Sequence, residues 1–399
     1  MTYEIKSIPL IEICEAIVDC PHSTPKWTDE GVIVLRNSNI KNGRLDLSNP
    51  SFTDELHYED RSRRAKLLAG DLVITREAPM GEVCQIPENL KCCLGQRMVL
   101  LRPSKYKCDG KYLLYALQSR KVQHEINSYD GTGSTVSNLR IPVLKNLSIP
   151  TPSLSIQKNI ANILGTLDEK IELNKKNSET LEQIVQTHFK SWFIDFDPVK
   201  TKSEGRSTGL PDEISNLFPN LFEQSELGQI PKGWKIDILS NHLSLTKGKS
   251  YKSFELQGSK NALVTLKSFQ RGGGYREEGL KPYSGEYKKE QIILPGELII
   301  ALTDVTQAAD VIGRPAIVES NNLFDNLIAS LDVGIIRTKK TGLITKEYSM
   351  QLLKTPKYIS HALSYTSGTT VLHLSKKLFE TFCFVMPEER LIKFFTSFY

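Results

Sequence analysis

Arginine, lysine, asparagine and glutamine collect in a few short segments of this chain. Arg36-Asn37-Ser38-Asn39 follows the apolar run Val32–Leu35, Arg61, Arg63, Arg64 and Lys66 crowd together, and Arg76 follows the apolar run Leu72–Ile74. Further on, Lys247, Lys249 and Lys252 share one segment, and Lys267, Gln270 and Arg271 share another. Cations neutralise phosphates, while Arg, Asn and Gln match the hydrogen-bonding edges of bases. The stretch Gly131–Thr135, with Ser134 and Thr135, and the stretch Gly368-Thr369-Thr370 add backbone NH groups and hydroxyls suited to phosphate contact. Any one of these clusters is ordinarily a solvated face. Comparable loops recurring at comparable places point instead to a nucleic-acid partner.

Patterns for catalysis are missing. Gly248-Lys249-Ser250 ends like a P-loop, but Leu243 stands where the first glycine must be. Asp197-Pro198-Val199 lacks the second proline and the aromatic of an amino-methyltransferase box. No GxSxG, HExxH or Gly-rich cofactor loop occurs, and the seven histidines are scattered. The seven cysteines, at 14, 20, 84, 92, 93, 108 and 383, are odd in number and form no CxxC pair. A disulfide framework or structural zinc is therefore not expected, and the thiols read as reduced. The chain is expected to be non-catalytic and to bind no cofactor or metal itself.

Composition sets the outer bounds. At 399 residues two or more domains are expected, and a net charge of +5 permits an anionic partner without demanding one. No apolar run is long enough for a bilayer, and the start MTYEIKSIPLIEI is not a signal peptide, so no membrane partner and a cytoplasmic location are expected.

The element that must organise these loops is Pro152–Lys200. Ile160, Leu164, Leu167, Ile171, Asn174, Ser178, Leu181, Val185, His188 and Trp192 recur at steps of four and three, the seam of a helix built to pair with another helix. Ser153 and Ser155 offer N-caps, and Pro198 marks the expected stop. Ser155 to Phe193 (193 − 155 + 1 = 39 residues) makes a rod of ~58 Å. Asn174 and Ser178 interrupt the seam with the polarity that fixes register.

Before the rod, Val32–Leu35, Leu72–Ile74 and Met98–Leu101 read as strands, Lys111–Ser128 as one amphipathic helix, and Leu147–Ile149 as a further strand. The order recurs after it. Leu100-Leu101-Arg102 matches Ile335-Ile336-Arg337 (337 − 102 = 235), and Gly133 to Val136 matches Gly368 to Val371 at the same offset. Leu139 with Leu374, and Pro152 with Pro387, keep it as well. Leu68–Ile74 matches Leu294–Ile300 at an offset of 226, so nine extra residues (235 − 226) are expected in the second copy, in Thr303–Arg314. A duplicated domain accounts for all of these. Thr201–Gly228 reads as a linker with a short helix near Leu217–Phe222. By the offset, Tyr399 corresponds to Leu164, so the tail Arg390–Tyr399 is expected to start a second rod without completing it.

Two similar domains, the heptad helix, Phe189-Lys-Ser-Trp-Phe-Ile-Asp-Phe-Asp-Pro-Val-Lys200 and Glu226-Leu-Gly-Gln-Ile-Pro-Lys-Gly-Trp234 together resemble the specificity subunit of type I restriction–modification systems. The chain departs from that family in Ile156-Gln157, where a Glu-Gln pair is usual, and in the curtailed distal helix. The resemblance implies an α+β fold with two mixed α/β target recognition domains, at 1–151 and 229–386. The central helix would occupy 152–200, a linker 201–228 and the start of the distal helix 387–399. It implies that each domain reads one half of a bipartite site in double-stranded DNA, and that paired helices set the spacer and dock two modification subunits. S-adenosylmethionine would belong to those subunits, ATP and Mg2+ to the restriction subunits, and the setting would be a bacterial or archaeal cytoplasm. The seam from Leu167 to Trp192 is then expected to lack a mate within the chain. An orphan DNA-binding protein, or a coiled-coil scaffold for other proteins, are the competing readings; a hydrolase comes last.

Overall fold

The computed structural model describes residues 5–129, 138–306 and 308–397. The chain divides into two compact units, Met1–Asn177 and Ser178–Tyr399. The first is built on a four-stranded antiparallel sheet in the order Cys14–Asp19, Met98–Pro103, Leu72–Thr75, Val83–Gln85. The apolar runs do not alternate with polar residues because both faces of this sheet are covered. Leu72, Ile74, Val99 and Leu101 enter one core with the helices, while Val73, Cys84, Met98 and Leu100 enter a second core on the opposite face.

The second unit repeats this plan. Its sheet runs Leu243–Lys247, Val333–Thr338, Leu298–Ala301, Pro315–Ile317. Leu100 pairs with Val73 in the first unit, and Ile335 with Ile299 in the second, which reproduces the offsets of 235 and 226 residue for residue. Each unit adds a small sheet with one parallel pair, Val32–Leu35 beside Cys92–Leu94 and Asn261–Val264 beside Asn326–Ala329. Each is closed by its end strands, Ser7–Pro9 with Ser148–Pro150 and Lys235–Ile238 with Cys383–Met386.

Several expectations change in detail. Cys84 pairs with Val73 and Ala316 with Ile299, an offset of 232 (316 − 84), so six of the nine extra residues lie where expected and three lie between Ala316 and Ala329. The helix expected over 111–128 is two, Gly110–Gln118 and Arg120–Ser128, because Ser119 turns extended and its hydroxyl accepts the Val122 NH as a cap. The linker's helix is at Asp212–Ser215, and the Phe222 end of the expected helix is instead a strand, Phe222–Ser225, in a hairpin with Gly228–Pro231.

The rod is a helix over Leu154–Phe189. Gln157 is buried at its start, where its side-chain oxygen accepts the Asp109 NH at 2.9 Å and its amide donates to the Pro152 carbonyl at 2.8 Å. Ile160 packs on the first unit's core, and Asp168 accepts the Tyr115 hydroxyl at 2.6 Å. Leu164 is half-buried, and Leu167 and Ile171 are more than half exposed. In the second unit's share of the helix, Leu181 is exposed and Val185 half-buried.

The far end overturns the expectation of an unmated seam as far as Trp192. Phe189, Trp192 and Phe193 are buried in the second unit's main core, against Phe218, Trp234, Tyr348 and Phe395. The tail forms a helix, Glu389–Thr396, and its Phe394 and Phe395 rings meet Trp192. Pro198 does not end the rod. A π turn at Lys190–Ile194 and a left-handed Phe196 do so, and Pro198 opens a short helix, Asp197–Ser203, where its missing NH costs nothing. Among the described residues no helix is long and apolar enough to cross a membrane. Trp192→Ala should cost ~3–5 kcal/mol in urea unfolding followed by circular dichroism, whereas Leu181→Ala should stay within about 0.5 kcal/mol.

Candidate nucleic-acid interface

The turns that leave the small sheet of the first unit gather the polar groups of interest. Strand Val32–Leu35 ends in a tight 3-10 turn, Asn37–Asn39, and the parallel strand Cys92–Leu94 ends in Gly95-Gln96-Arg97. A Cβ on Gly95 would lie 2.3 Å from the Leu35 carbonyl oxygen, so only glycine lets these two strand ends come together. Between them opens a cleft of about 400 Å3, lined by Trp27, Arg36, Asn37, Ala78, Gln96 and Arg97 among others.

Within it the Arg36 guanidinium stands 5.6 Å from the Trp27 ring centre, a cation–π distance, and both side chains are exposed. Asn37 donates its amide to the Glu77 carbonyl, which leaves its side-chain oxygen buried with no partner among the described residues. Arg97 pairs with Glu77 at 3.2 Å. Arg97 and Ala78 both hold positive φ, 65° and 42°, a conformation that costs a non-glycine residue about 1–3 kcal/mol and that gathers at ligand sites.

Other candidates from the sequence hold the scaffold. Asn39 is buried, accepting the Arg36 NH at 2.9 Å and donating to the Asp46 carbonyl at 2.9 Å. Arg61 is buried and donates to the carbonyls of Ser23, Leu94 and Gly95 at 3.0 Å each, so it builds the cleft's wall rather than its surface. Arg76 is committed to both oxygens of Asp19 at 3.0 Å and to the Leu139 carbonyl. Arg63, Arg64 and Lys66 are exposed, facing Asp60, the Asp19 and Cys20 carbonyls, and Glu59. Ser134 and Thr135 lie outside the described residues.

In the second unit Lys247 and Lys252 are exposed, and Lys252 stands 5.7 Å from the ring of Phe254, itself exposed. Lys249 is tied down, its NH to the Ala329 carbonyl and its ammonium to that of Glu286. A Cβ on Gly248 would lie 2.2 Å from the carbonyl oxygens of Ala329 and Ser330, which explains a glycine that looked like part of a P-loop. Lys267, Gln270 and Arg271 are exposed, with Gln270 donating to the Tyr275 carbonyl and Arg271 3.7 Å from Asp310. Thr369 and Thr370 are exposed in the turn between Thr366–Ser367 and Leu372–Leu374. Reading from sequence missed Trp27, Gln96, Arg97 and Phe254. The one signal for Gln96-Arg97 was its place directly before a buried strand.

Burial pushes the thiols of Cys84, Cys92 and Cys108 up to about 12, so they are neutral at physiological pH. Among the described residues no group of His, Cys, Asp and Glu has the geometry to hold a metal ion.

The first half of the chain is similar to known proteins. Residues 4–183 match the type I restriction modification DNA specificity domain. That match takes in most of the first unit and the start of the second unit's share of the long helix. The specificity subunit of type I restriction enzyme MjaIX from Methanocaldococcus jannaschii is 30% identical over 205 residues, 51% of this chain and 43% of that protein. That of HindI from Haemophilus influenzae is 40% identical over 88 residues, 22% of this chain and 19% of that protein. The match thus spans under half the length of these curated relatives. The solved S subunit of a type I system from M. genitalium aligns with all of this chain and 89% of its own, at 17% identity and a TM-score of 0.49. The second unit repeats the sheet order and register of the first, which holds most of the matched residues.

Arg61→Met should lower the stability of the first unit by about 1–3 kcal/mol or more, because three carbonyls lose their donor in a buried place. Arg63→Met should leave the urea midpoint within about 0.5 kcal/mol of the parent.

Proposed function

We propose that this chain is the DNA-specificity subunit of a type I restriction–modification complex and carries none of the catalysis itself. The observation that supports this most is a duplication with different contents. The specificity domain's strand register recurs in the second unit, yet the turns at corresponding places carry different side chains. A repeated scaffold with unlike loops suits the reading of two unlike half-sites. In this reading residues 1–151 and 229–386 are the two recognition domains, with 201–228 between them.

The DNA contacts come from exposed Arg36 and Arg97 with half-buried Asn37 beside them in the first domain, and from exposed Lys247, Lys252, Lys267, Gln270, Arg271, Thr369 and Thr370 in the second. The exposed seam residues Leu167, Ile171 and Leu181 take part in docking two modification subunits, which bring S-adenosylmethionine and methylate adenine. Restriction subunits bring ATP, Mg2+ and cleavage. The segment 387–399 contributes to the same helical layer.

Co-expression with its modification subunits, followed by sequencing of modified bases, should give one bipartite, asymmetric motif. A complex that forms and methylates without a motif would sink the proposal. Binding of the assembled complex to duplex DNA should also fall steeply with salt, its log–log slope growing by about −0.9 for each phosphate neutralised. A flat salt response would favour the scaffold reading.

A further inference from the structure

We propose, resting on the specificity reading above, that the Trp27–Arg97 cleft reads a G·C base pair, with Arg36 as its specificity-determining residue. Three observations converge. Arg36 is an exposed guanidinium braced at 5.6 Å from an exposed indole, and its one side-chain hydrogen bond among the described residues is a long 3.5 Å contact to the Ser51 hydroxyl. A guanidinium fork matches the two acceptors, O6 and N7, that guanine shows in the major groove. Beside it half-buried Asn37 holds a side-chain oxygen that has no partner among the described residues, placed as the acceptor because its amide donates to the Glu77 carbonyl. Cytosine supplies the missing donor, its N4 amino group, on the same edge of the same pair. An A·T pair would set thymine's methyl group and O4 acceptor in that place, leaving the oxygen unsatisfied.

The second unit serves as an internal control. Leu35 and Leu94 pair in the first small sheet, Val264 and Ala329 in the second, so Arg36 corresponds to Thr265, Asn37 to Leu266 and Arg97 to Asp332. The local fold survives those exchanges. The Arg36 NH bonds the Asn39 side chain at 2.9 Å, and the Thr265 NH bonds the Ser268 hydroxyl at 3.3 Å in the same role. Asp332 lacks the positive φ of Arg97 and accepts the Thr303 hydroxyl at 2.8 Å. The scaffold thus needs neither the guanidinium nor the asparagine, and their presence in one copy alone assigns them to that copy's half-site. Trp27 acts as a positioning residue for Arg36.

The test uses the full complex, with modified-base sequencing of cells expressing the parent chain, Arg36→Ala, Arg36→Lys or Trp27→Ala, and Thr265→Ala as the control in the other unit. The parent motif should contain a G·C pair that Arg36→Ala alone relaxes, by about 10- to 100-fold in preference over other pairs. Arg36→Lys should relax it less, Trp27→Ala should relax the same position, and Thr265→Ala should leave it intact. Melting temperatures should be unchanged, since Arg36 is exposed. A parent motif that Arg36→Ala leaves unchanged, or weakens evenly at every position, overturns this inference alone. A parent complex with no motif overturns the specificity reading and this inference with it.

Discussion

Burial of one strand on both of its faces governs each unit. Met98–Pro103 lies between two neighbours in its sheet and sends alternate side chains into two separate cores; Val333–Thr338 does the same in the second unit. A slip of one residue would exchange every side chain between those cores, so the register is locked. With it are locked the ends of the strands, and therefore the places from which the polar turns depart. Gly95 and Gly248 follow from the same constraint, since each lies against a neighbouring strand end too closely for a side chain.

That constraint also separates structure from function among the polar residues. Asn39, Arg61 and Arg76 spend their hydrogen bonds on the scaffold, while Arg36, Lys252 and Lys267 stay exposed. Charged residues on a rigid frame bind DNA with little ordering cost, and a frame that tolerates different turns can be duplicated and diverge. The long helix joins the frame at both ends by different means. Gln157 fixes its start with hydrogen bonds in the first unit, and Phe189, Trp192 and Phe193 sink its end into the aromatic core of the second.

Much of the frame was legible in the sequence because it rests on local patterns. Apolar runs marked the two central strands of the first unit's main sheet but not its edge strands Cys14–Asp19 and Val83–Gln85, and the offsets of 235 and 226 are the strand registers themselves. The break at Ser119 was missed because amphipathic spacing continues across it. The end of the rod was misjudged because the heptad pattern runs on through Trp192, and spacing alone does not say whether a seam faces a helix or an aromatic core. Site residues were least legible. Nothing local distinguishes Arg61, buried among carbonyls, from Arg36, exposed on an indole, and Trp27 joins the cleft only through the fold.

The claim that the two copies read separate half-sites is tested most directly by competition binding of the assembled complex to its own motif with either half scrambled. Loss of about tenfold or more in affinity from scrambling each half, with the other intact, is the result predicted here. Equal affinity for the intact motif and for either scrambled duplex would contradict it.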